Sequence, residues 1–98
     1  MIIFEYNIIK MELPPISITS PVIDSSTIKS AVQTYIGSEC IKDVESVYIS
    51  DTLMTHFITF NKTPVTAEMK AFVKDLGGCV PIKYKHHTFI AISNMYDI

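Results

Sequence analysis

Two hydrophobic rhythms alternate along the chain. Ile16 and Ile18 alternate with Ser17 and Thr19, the period of a half-buried strand, and Pro21 closes that run. The spacing then becomes helical: Ile28, Ala31, Val32, Tyr35 and Ile36 fall at i, i+3, i+4, i+7 and i+8. Asp24, Ser25 or Ser26 can cap the start of this helix, and Gly37 can end it in a left-handed conformation. Val44–Ser50 is rich in β-branched and aromatic residues and is predicted as a strand, with a turn at Asp51-Thr52. Thr55–Phe60 follows as a second strand in which Phe57, Ile58 and Phe60 are all expected to be buried, on both faces. Thr66 caps a second helix, with Glu68 near its positive end and Met69, Phe72, Val73 and Leu76 as its apolar stripe. Gly77-Gly78 stops it. Val80, Ile82 and Tyr84 then alternate with Pro81, Lys83 and Lys85, an amphipathic strand whose proline favours a sheet edge. His86-His87 mark the turn, and Thr88–Ser93 returns as the last strand.

The resulting order is β-α-β-β-α-β-β. Two helices on one face of an antiparallel sheet make an α+β sandwich, most simply a ferredoxin-like one. Pro14-Pro15 separates residues 1–15, read as an N-terminal extension, from a single domain over 16–98.

Composition narrows the function classes. At 98 residues the chain has one modest core, and 48% apolar against 18% charged residues is too apolar for disorder. The net charge is −2, and the eight basic residues are all lysines. Arginine, the preferred residue for bidentate phosphate and guanine contacts, is absent, so no nucleic-acid partner is expected. The N-terminal segment "MIIFEYNIIKMELPP" has its apolar run interrupted by Glu5 and Asn7, which fits neither a signal peptide nor a membrane span. A cytoplasmic protein with no membrane partner is the default expectation.

Candidate chemistry is sparse. Cys40 and Cys79 do not make a disulfide framework, and both are expected to be buried or partly buried thiols, Cys79 facing the core. Cys40, His56, Cys79, His86 and His87 lack the paired spacing of a metal site, and neighbouring His86 and His87 would point to opposite faces of a strand. There is no G-x-S-x-G, no P-loop and no G-x-G-x-x-G. No enzyme activity, metal or cofactor is therefore expected. Phe57 and Phe60 lie where an RNA-binding sheet would place its aromatics, but without basic company they are assigned to the core.

One segment resembles a known family. His56 to Ser93 is similar to the peptidase inhibitor I9 family, which includes subtilisin propeptides and stand-alone inhibitors of subtilisin-like proteases. Phe57-Ile58-Thr59-Phe60-Asn61-Lys62 looks like the family's first strand, and Met69, Phe72, Val73 and Leu76 like its helix stripe. Gly77-Gly78, Val80 and Tyr84 look like its turn and second strand, and Phe89-Ile90-Ala91-Ile92 like its third. This chain has Thr88 where the family usually carries glycine. The family continues with another helix and strand, places that Ser26–Ile36 and Val44–Ser50 fill from upstream. The resemblance implies a serine protease of the subtilisin type as partner. It makes Asn94, Met95, Tyr96, Asp97 and Ile98 the counterpart of the tail that enters the protease cleft.

The functional expectation is a non-catalytic protein-binding module, a propeptide-like inhibitor or chaperone. It would meet another protein through Lys83, Lys85, His86 and His87 on the last hairpin and through residues 94–98. The alternative is a small accessory subunit of a larger complex, or a homodimer packed through the apolar leading segment.

Overall fold

A computed structural model describes residues 10–37 and 39–93 of the chain. It is a ferredoxin-like α+β sandwich. The elements are β1 (Lys10–Met11), β2 (Ile16–Pro21), α1 (Ser25–Ile36), β3 (Ile41–Tyr48), β4 (Leu53–Phe60), β5 (Thr63–Pro64), α2 (Ala67–Asp75), β6 (Cys79–Tyr84) and β7 (His87–Ser93). Five strands form one antiparallel sheet in the order β3-β4-β2-β7-β6, and β1 pairs with β5 in a separate two-stranded ribbon. β3 and β6 are therefore the two edges, and Pro81 sits on an edge strand as its missing N–H requires.

Alternation along each strand divides the sheet into two faces. Ile16 and Ile18 of β2, Ile58 and Phe60 of β4, Val80 and Ile82 of β6, and Phe89 and Ala91 of β7 all lie in one core cluster. The helices supply Ile28, Ala31, Val32 and Ile36 from α1 and Met69 and Phe72 from α2 to the same cluster. Tyr35, at the margin of the α1 stripe, is half exposed and meets Phe72 edge-on at 5.8 Å between ring centroids. Both helices thus cover one face, and the other face of the sheet is open among the described residues. Leu13 is also in the core, so packing of the domain extends upstream of Pro14-Pro15.

The helix ends follow from their sequence. Thr66 is the N-cap of α2, its Oγ1 accepting the Met69 N–H at 3.1 Å. Asp24 is the N-cap residue of α1, but its carboxylate accepts the Ser26 and Thr27 hydroxyls instead of a backbone N–H. Those two hydroxyls, Thr27 first, hold the Asp24 carboxyl below its ordinary pKa. Gly37 ends α1 at φ 79°, and its N–H reaches the Gln33 carbonyl at 2.8 Å.

Candidate interaction surface

The hairpin residues expected to form one surface are divided by the pleat. Lys83 pairs with Thr88 and lies on the open face of the sheet, at the β6 edge. Lys85 and His86 form the two-residue hairpin loop, with Lys85 at φ 55° and its Nζ 5.3 Å from the Tyr84 ring centroid. His87 pairs with Tyr84 and stacks on Phe89 at 5.3 Å between rings, on the helix side of the sheet. Asn94, Met95, Tyr96, Asp97 and Ile98 lie outside the described residues.

Two core expectations are overturned, and both residues move to the open face. Phe57 is 39% exposed, because the partners of the core in β4 are Met54, His56, Ile58 and Phe60, and the residues between them point away. Cys79 is exposed, because Val80, Ile82 and Tyr84 take the inward positions of β6. Cys40 is buried as expected, and no disulfide joins the two.

Register assembles the open face row by row. Glu45, Phe57, Ser17, Ile92 and Cys79 lie side by side across β3, β4, β2, β7 and β6. Val47, Thr55 and Thr19 begin the next row, which Ile90 and Pro81 continue on β7 and β6. Thr19 and Thr55 join their hydroxyls at 3.0 Å. Leu53, Val47, Phe57, Ile90 and Ile92 are all large, apolar and at least partly exposed here. Ser17 is buried although it faces away from the helices, a small residue in the row between Phe57 and Ile92. The face therefore carries two apolar ridges, on β4 and β7, with small hydroxyl residues between them. Asp43 and Glu45 stand along the β3 edge and Lys83 along the β6 edge.

The edges are poor templates for an added strand. In the β6–β7 hairpin the two-residue loop makes Tyr84–His87 a hydrogen-bonded pair, so by alternation Lys83, Pro81 and Cys79 turn their backbone outward. Pro81 then removes the middle donor of that edge. On β3 the register shifts between Ile41 and Asp43, and the Asp43 carboxylate takes the Val44 N–H at 2.9 Å. Both devices blunt edge pairing and leave the open face as the larger exposed apolar surface among the described residues.

His56, which sequence reasoning left among scattered residues, is wholly buried on the helix side. Ser20 donates its hydroxyl proton to the Pro21 carbonyl at 2.7 Å, so at 3.1 Å its oxygen accepts the His56 Nε2–H. Nδ1 is then the bare nitrogen, and the Ser46 hydroxyl donates to it at 2.7 Å. Burial pushes the imidazole pKa below its ordinary value of 6.5. A serine touching a base is the start of nucleophilic chemistry. Here, however, an imidazolium formed by taking the Ser46 proton would be buried with no carboxylate bonded to it. The arrangement is a polar clasp tying β2, β3 and β4 together. Among the described residues no three His, Cys, Asp or Glu side chains gather to hold a metal. No helix there is long and apolar enough to cross a membrane. The grooves on the helix side are shallow, one of about 420 Å³ beside Gln33, Glu39 and Tyr84 and one of about 390 Å³ beside Asp24, Ser46 and Tyr48.

The chain matches no protein-family model, no curated protein and no solved structure.

Proposed function

We propose that the chain is a non-catalytic protein-binding module of the cytoplasm, and that its recognition surface is the open face of the five-stranded sheet. One observation carries this reading: among the described residues five large apolar side chains stand exposed on a face that no helix covers, with acids on one edge strand and a lysine on the other. An apolar centre with a charged rim is the anatomy of a protein interface. Among the described residues the same face has a single aromatic side chain and no basic groove, which disfavours a stacking platform for single-stranded nucleic acid.

A subtilisin-like protease is one partner that the I9 resemblance supports, and a larger complex in which the chain is an accessory subunit is another. Inhibition of a subtilisin-type protease at micromolar protein separates them, and its absence removes the inhibitor version. The general reading is tested by Phe57→Asp. This variant should keep the wild-type circular dichroism and melting cooperativity yet lose binding to any partner that the wild type binds. A partner bound equally well by wild type and Phe57→Asp would place recognition elsewhere.

A further inference from the structure

The His56 clasp does more than join strands: we propose that it is an acid-operated latch that releases the edge strand β3 from the sheet. The latch operates whatever the open face binds. Of the three strands that meet at His56, β3 is the one free to leave. β2 lies between β4 and β7 and sends Ile16 and Ile18 into the core, and β4 sends Ile58 and Phe60. β3 is an edge, and of its eight residues only Ile41 is buried. Val44 packs partly against the core, and Ser46 is tied to it through His56 at 2.7 Å. The seam between β3 and the start of α1 is loosely filled. A groove of about 390 Å³ runs beside Ser25, Ser46 and Tyr48, and one of about 260 Å³ beside Ser26, Lys29 and Val44.

The trigger is a change of role at Nδ1. In the neutral ring Nδ1 accepts the Ser46 hydroxyl, and Nε2–H donates to Ser20. A proton added to Nδ1 sets a donor against a donor, and the Ser46 hydroxyl must turn its own proton elsewhere. The charge then sits on a wholly buried side chain. β2 and β4 contain no titratable residue besides His56. β3 contributes Lys42, Asp43, Glu45 and Tyr48. On the helix side α1 and its cap carry Asp24, Lys29 and Tyr35, and α2 carries Glu68, Lys70, Lys74 and Asp75. None of these groups is bonded to the ring, and Asp24 is already taken by the Ser26 and Thr27 hydroxyls. Opening β3 carries Ser46 away and lets water solvate the imidazolium. Burial holds the closed-state pKa below 6.5, so protons favour the opened form as pH falls below that value. Opening uncovers the edge of β4, Leu53–Phe60, which has no proline and no charged group besides His56 itself.

Native-state hydrogen exchange of the full chain, read as protection factors in low urea at about pH 7.5 and about pH 5, tests the latch. Amides of β7, between β2 and β6, mark global unfolding. Global unfolding also frees His56, so urea dependence separates the two openings. The β3 amides bonded to β4, with the Ile49 N–H that reaches the Leu53 carbonyl at 2.9 Å, should be less protected than those of β7 and respond less to urea. The opened form binds its proton near the ordinary value of about 6.5, so β3 protection should fall severalfold by about pH 5, with about thirtyfold as the ceiling. His86 and His87, the other two histidines of the chain, lie on the opposite hairpin, so His56→Asn should remove this response. Should that variant fail to fold, the wild type decides alone. Its β3 protection should begin to fall near about pH 6.5 and level off where the imidazole resonances of His56 show the ring titrating. Exchange of β3 and β7 through one common opening overturns the release of β3. A separate β3 opening that ignores pH, or falls equally in His56→Asn, overturns His56 as its trigger.

Discussion

The division of β4 into two faces predicts that two phenylalanines three residues apart have very different weights. Phe60 is 1% exposed and sits in the core cluster, whereas Phe57 is 39% exposed on the open face. Phe60→Ala removes a fully buried ring and leaves a cavity that the core can only partly fill, for a cost of about 3–5 kcal/mol. Phe57→Ala removes a side chain about three-fifths buried. Full burial of such a side chain is worth about 1.5–3 kcal/mol, so the expected loss is about 1–2 kcal/mol, with no cavity to add to it. A domain of this size has about 5–15 kcal/mol in total. Phe60→Ala therefore consumes a large fraction of the stability and Phe57→Ala a small one. Urea unfolding followed by circular dichroism measures both, and an unchanged slope would confirm that the same surface is exposed in each variant. If Phe57→Ala costs as much as Phe60→Ala in dilute protein, Phe57 is covered within the monomer and the open face is misassigned.

Three further predictions follow from single residues. His56 must remain neutral: its pKa lies below the unfolded value of about 6.5, so the unfolded chain binds more protons. The contribution of His56 is thus complete above about pH 6.5 and is lost as pH falls through the folded value. The urea midpoint of wild type should drop more steeply below pH 6.5 than that of His56→Asn, and parallel profiles would refute the clasp. Thr66→Ala should cost about 1 kcal/mol through loss of the N-cap bond to Met69, and Thr66→Asp should restore it in a thermal melt. Lys85 adopts φ 55°, so Lys85→Asn should be close to neutral while Lys85→Val costs more than about 1 kcal/mol; equal melting temperatures would count against the left-handed loop.

Much of the layout was legible because its signals are local. The Thr66 cap, the Gly37 stop, the Gly77-Gly78 break and the two apolar stripes each depend on residues within a few positions of one another. The faces of β4 were harder to read. Phe57 and Ile58 are adjacent and both apolar, and the inward series Met54, His56, Ile58, Phe60 contains a histidine that disguises its period. His56 can be buried only because Ser20 and Ser46, on strands that flank it, satisfy both ring nitrogens. Those partners lie 36 and 10 residues away in sequence, and no local pattern announces them. Cys79 is the opposite case: once Val80, Ile82 and Tyr84 are assigned inward, parity alone turns Cys79 outward. The insertion of β7 between β2 and β6 is not written in any single segment. It depends on long-range pairing, of which Ser17 with Ile92 is one instance.

The placement of β7 also determines what the open face can do. Had β6 paired with β2 directly, β7 would have become the edge strand, and Ile90 and Ile92 would not stand beside Ser17 and Thr19. The β6–β7 hairpin widens the sheet by one strand and supplies the second apolar ridge, while Pro81 closes the new edge that the extra strand creates. At the far edge the bulge at Ile41/Asp43 and the Asp43–Val44 bond do the same for β3. A sheet blunted at both edges but apolar across its width is suited to burial under a facing layer and poorly suited to growth by strand addition. Lengthening the edge therefore offers a sharp contrast with altering the face. Pro81→Thr restores an outward N–H and should promote slow, concentration-dependent aggregation through β6, visible as rising light scattering that Phe57→Asp does not produce. A Pro81→Thr protein that stays as monodisperse as the wild type would show that the proline is not what blunts this edge.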